Sequence, residues 1–148
     1  MENQLWELLN KEYKNYPEDF GRRCKSEEIE EAQEKVKLEF HASYKNFLLK
    51  YGSATLPGFI IYGLIPLPEM GKSVNNIVKK TAFYKNFQKW PGIENWYVIS
   101  DDGRGNPIGI DPQGKVWLSD HDAGFEKVKL ADSFEEFLHK LLTNTLHE

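Results

Sequence analysis

SEEIEEAQEKVKLEFHASYKNFLLKYG, residues 26–52, decides how the rest of the chain must fold. Ser26 has the hydroxyl of a helix N-cap, and Glu27 and Glu28 follow where the helix dipole favours negative charge. Ile29, Ala32 and Val36 recur at helical spacing, which predicts one inward stripe with the glutamates facing water. Leu38-Glu39-Phe40 breaks that period. Tyr44, Phe47, Leu48 and Tyr51 then mark a second helix, and Gly52 stands where a left-handed cap is required. Two short helices of this kind cannot bury their stripes alone, so a sheet is expected to face them.

Working outward, Leu5, Leu8, Leu9, Tyr13 and Tyr16 predict a first helix that stops near Pro17. Residues 17–25 form a polar joint containing Gly21 and the basic residues Arg22, Arg23 and Lys25. On the other side, Leu56-Pro57-Gly58 is turn chemistry, and Phe59-Ile60-Ile61-Tyr62 reads as a buried strand. Pro66 and Pro68 bracket a second, edge-like extended piece. Residues 73–90 have helical spacing through Val74, Ile77, Val78, Tyr84 and Phe87, and Pro91-Gly92 ends that helix. From Trp96 the period changes to two: strands are expected at 96–100, around Ile108 and Ile110, at Val116-Trp117-Leu118, and around Val128 and Leu130. Asp111-Pro112-Gln113-Gly114 suits a type I turn between two of them. Ser133 and Glu136 form a capping box ahead of the stripe Phe134, Phe137, Leu138, Leu141 and Leu142. The order predicts one α+β domain over 1–148, with N-terminal, central and C-terminal helices packed on a largely antiparallel sheet.

A chain of 148 residues that is 40% hydrophobic and 28% charged can build a core without staples. One cysteine, Cys24, excludes an internal disulfide and suits a reducing compartment, so the cytoplasm is expected. The polar start and the lack of a long apolar run argue against a signal peptide and a membrane span. Net charge is −4, and it is uneven. Residues 26–40 and the chain beyond Gly92 are acidic, whereas Gly71–Gly92 carries lysines and no acid. That balance argues against a general nucleic-acid binder and favours a basic protein partner.

With this order in place, three stretches resemble the SUKH superfamily, the Smi/Knr-like proteins. They are residues 26–52, VISDDGRGNPIGIDPQGKVWLSDHD at 98–122, and ADSFEEFLHKLL at 131–142, and together they span roughly 24–142. The sequence departs from the family's usual Leu-Pro between the central helices, having Leu38-Glu39-Phe40-His41. The resemblance implies a non-enzymatic bacterial immunity protein that binds and neutralises a cognate secreted toxin, often a nuclease. Fungal relatives imply an alternative, an intracellular regulatory or scaffold domain. No catalytic residue and no cofactor is implied.

Several clusters invite chemistry. Asp120-His121-Asp122 offers metal-type ligands and suggests a small metal-dependent hydrolase as a further alternative. Neighbours on a strand point to opposite faces, however, so Asp120 and His121 are not expected to converge, and no metal is expected. The 101–106 loop has glycines where a calcium loop needs ligands. Cys24 lacks any nucleophile signature. The lysines and aromatics of 72–90 could suit single-stranded nucleic acid, but a lysine face opposite an aromatic core stripe explains them as well. The 20 aromatic residues are more than one core is expected to hide, which is the composition of protein interfaces. The expected contact surface is therefore an open sheet face with the loops 101–106 and 119–124. Asp101, Asp102, Arg104, Asp120, His121 and Asp122 are the candidate partner-binding residues, and the acids would meet a basic cleft.

Overall fold

The computed structural model describes residues 2–64 and 76–146, so the Pro66/Pro68 segment and the start of the 73–90 helix lie outside the described residues. Five α-helices surround two antiparallel sheets: α1 (Glu2–Asn15), α2 (Ser26–Val36), α3 (Ala42–Lys50), the hairpin β1 (Ala54–Leu56) and β2 (Phe59–Ile61), and α4 (Ile77–Ala82). A four-stranded meander follows in the order β3 (Tyr97–Asp101), β4 (Pro107–Ile110), β5 (Val116–Asp120) and β6 (Glu126–Ala131), and α5 (Phe134–Leu142) closes the chain. This is the expected α+β architecture.

The central helices form where the apolar spacing places them, with Ile29, Ala32, Tyr44, Phe47, Leu48 and Tyr51 all buried. α2 begins one residue earlier than the Ser26 reading. Lys25 is the N-cap residue, and its N–H donates to the Glu28 carboxylate at 2.7 Å. That bond holds the Glu28 carboxyl below its usual range. The joint that lacks a proline is fixed by two other bonds. Gln33 Oε1 accepts from Phe40 N at 2.8 Å, and Tyr97 Oη accepts from His41 N at 3.0 Å. Phe40, Tyr44 and Tyr97 then pack ring on ring, with Phe134 of α5 edge-on to Tyr44 at 5.2 Å.

Gly52 caps α3 at φ +82°, and a Cβ there would lie 1.9 Å from the Arg22 carbonyl oxygen. The extended joint thus passes directly over the end of α3. Cys24 donates its N–H to Leu48 O within that crossing.

β3 would be an exposed edge, but two other elements close it. Thr81 Oγ1 of α4 accepts from Val98 N at 2.9 Å, and Tyr62 N donates to Ile99 O at 2.8 Å. Masking backbone groups in this way prevents edge-to-edge pairing. Every residue of β4 and the first four of β3 are buried, so the open sheet face expected from the sequence is not there over these strands. Trp96 lies flat on β4, where any Cβ on Gly109 would meet its ring at 2.7 Å.

At the C-terminus Ser133 Oγ accepts from Glu136 N at 3.0 Å, as the capping box predicts. Glu136 reaches back one residue further than expected, to Asp132 N. The basic helix ends earlier than Trp90: α4 gives way to a π turn over Phe83–Phe87, closed by Gln88 N donating to Phe83 O at 2.8 Å. That extra residue per turn rotates Phe87 out of the predicted inward stripe, and it is 77% exposed.

Candidate functional site

The two loops named from the sequence do come together, and one side chain absent from that list joins them. Asn106 at the start of β4 is fully buried. Its amide nitrogen donates to Asp102 Oδ2 at 2.8 Å and reaches Asp120 Oδ1 at 3.4 Å. Its amide oxygen accepts from His121 N at 3.0 Å and faces His121 Nδ1 at 2.5 Å. Asn106 therefore ties the 101–106 loop to the end of β5. An asparagine in a turn sequence gives no signal that distinguishes this role from ordinary turn chemistry.

The acids of the site mostly serve their own loops. Asp101 Oδ1 accepts from Gly103 N and its Oδ2 from the Tyr62 hydroxyl. Burial raises the Tyr62 phenol well above its usual range, and the Asp101 partner raises it further. Asp102, whose side chain is 5% exposed, accepts from the amides of Arg104 and Asn106. Burial pushes its carboxyl up, but the Asn106 amide, those backbone bonds and the Arg104 charge outweigh that and hold it below the usual range. Asp120 Oδ1 caps the following turn by accepting from Asp122 N. Asp122 alone turns its carboxylate outward, 72% exposed and 3.2 Å from His121 Nε2. Arg104 is also outward, 65% exposed and 3.8 Å from Asp102.

The expectation that Asp120 and His121 diverge fails for a plain reason. The chain leaves β5 at Asp120 and enters a 3-10 turn over His121–Ala123, so strand alternation no longer applies. A ligand atom from each lies within 4.8 Å of the others, the one such group among the described residues. It is open to water on its outer side.

Beside this cluster runs a groove of about 430 Å³, lined by Phe83, Tyr84, Gln88, Trp90, Arg104, Gly105, His121 and Phe125. Trp90 anchors its floor, with its indole N–H on Ser119 Oγ at 2.8 Å. Phe125 stands edge-on to Trp90 with ring centroids 5.2 Å apart, at φ +65°. A left-handed conformation at a bulky residue costs about 1 kcal/mol. Phe83 and Phe87 stack outward at 5.7 Å. The aromatics of this helix are thus divided: Tyr84 and Trp90 are core, while Phe83 and Phe87 share the outer surface with the lysines. Of the strand tryptophans, Trp96 is buried and Trp117 is half-buried, its indole N–H on Asp111 at 2.9 Å.

Cys24 is buried and its thiol is pushed up to about 11, mainly by that burial, which is the opposite of an activated nucleophile. No helix among the described residues is long and apolar enough to cross a membrane. A sequence profile of the SMI1/KNR4 family (SUKH-1) matches residues 23–140. No curated protein matches the chain.

Proposed function

This chain belongs to the SMI1/KNR4 (SUKH-1) family, and we propose that it is a non-enzymatic immunity protein that binds a cognate toxin and blocks it. One observation carries the reading beyond family membership. Two loops tied together by the buried Asn106, and a π turn beside them, surround a groove with exposed aromatic side chains. Large apolar side chains in water are costly unless a partner covers them, and rigid support is what a protein-binding surface requires. Asp101, Asp102, Arg104, Asp120, His121 and Asp122 supply its polar frame, with Asn106 as the internal tie. The test is co-expression with the product of the adjacent gene. Growth restored by this protein supports the reading, and equal killing with and without it removes the reading.

The regulatory-scaffold alternative uses the same surface with a partner that is not a toxin, and it gains if no neighbouring gene encodes one. The metal-hydrolase alternative has one favourable observation, the convergence of Asp120, His121 and Asp122. Metal content measured before and after His121→Ala tests it.

A further inference from the structure

We propose that the groove between the π turn and the β5–β6 connection is the anchor site for a partner segment that presents an aromatic or long aliphatic side chain flanked by carboxylates. The proposal rests on the protein-binding reading and assigns the partner's chemistry, which is the reverse of what the acid count in these loops suggests. Phe83, Phe87 and Phe125 are 41%, 77% and 39% exposed. At about 200 Å² per ring, they leave about 300 Å² of aromatic surface in water, too little for a stable dimer of this chain but ample for one inserted side chain.

Charge decides what flanks that side chain. Arg104 and His121 line the groove, and no carboxylate does. Lys80 Nζ lies 6.0 Å from the Phe83 ring centroid, and Lys89 is exposed just beyond the π turn. Asp101, Asp102 and Asp120 are turned to loop amides, which leaves Asp122 as the one outward acid of the cluster. A carboxylate approaching the groove therefore meets the exposed Arg104, whereas a basic segment meets like charge there. The left-handed Phe125 is a second, independent sign. Its ring packs edge-on to Trp90 yet stays 39% exposed, so a bulky side chain is held at the rim of the groove in a conformation its residue type disfavours.

The test titrates the ¹⁵N-labelled full chain with blocked peptides and follows amide and Trp90 indole shifts. One peptide has Phe-Leu between Asp-Glu pairs. The second replaces the acids by lysine, the third replaces Phe-Leu by Ser-Ser, and an oligothymidylate is the nucleic-acid probe. Saturable shifts confined to 83–90, 104–106 and 121–125 with the first peptide alone are expected. Phe83→Ser and Arg104→Ser should each weaken it about tenfold, the size of one lost charged or apolar contact. Equal or tighter binding of the lysine peptide or the oligothymidylate, or no shift at millimolar peptide, overturns the proposal. If both variants keep unaltered affinity for the toxin, this groove is wrong and protein binding stands. If the unaltered protein fails to protect, the toxin reading has failed, and the titration still decides the groove.

Discussion

Asn106→Ala should loosen both candidate loops at once, and its cost follows from the bonds it removes. The amide donates to a nearly buried, ionised carboxylate, Asp102, and accepts from the backbone of His121. A bond to a charged group contributes about 1.5–3 kcal/mol and a neutral one about 1 kcal/mol, so the variant should lose about 3 kcal/mol. For a chain of this size that lowers the melting temperature by about 6–12 °C. Urea unfolding followed by tryptophan fluorescence measures it. The pH dependence adds a sign. Hydrogen bonding and Arg104 depress the Asp102 pKa in the folded state, so its contribution is full above the unfolded value of about 4 and disappears as pH falls through the lower folded value. The difference between Asn106→Ala and the unaltered protein should therefore narrow in acid. Asn106→Asp keeps the acceptor for His121 but sets a carboxylate against Asp102, so it should be destabilised at neutral pH and recover as pH is lowered. A loss below about 1 kcal/mol, or a gap that is constant with pH, would refute the role given to Asn106.

Three further outcomes are expected. Gly52→Ala forces an L side chain to φ +82° and drives its Cβ to 1.9 Å from Arg22 O, so it should cost more than about 3 kcal/mol or prevent folding, measured by urea unfolding. Ser133→Ala removes the acceptor for Glu136 N and should lower stability by about 1 kcal/mol. Cys24, with its thiol raised to about 11, should resist iodoacetamide at pH 8 in the native protein and react on denaturation; rapid native labelling would contradict its burial.

The helices and meander were legible because periodicity reports burial directly: Tyr44, Phe47 and Phe134 lie inward as their spacing requires. β1 was not legible, since Ala54–Leu56 is too short to show alternation. Phe87 deceived because a helical period assumes regular turns, and the π turn adds a residue. At the site, residue types located the two loops but not their wiring. The acids counted as surface charge are largely occupied by amides of their own turns, which depends on backbone direction and not on composition. Divergence of Asp120 and His121 was a sound inference for a strand, and it failed because the strand ends between them. Asn106 and Phe125 carry no pattern at all; only the fold shows that one is buried between loops and the other held at positive φ.

The central claim is that this chain acts by occupying a partner and not by altering a substrate. Titrating the purified chain into the purified toxin and measuring residual toxin activity tests that most directly. The account predicts a linear fall to zero at equimolar protein, unchanged by longer incubation. Inactivation by far less than one equivalent that deepens with time, or activity untouched by excess protein, would contradict it.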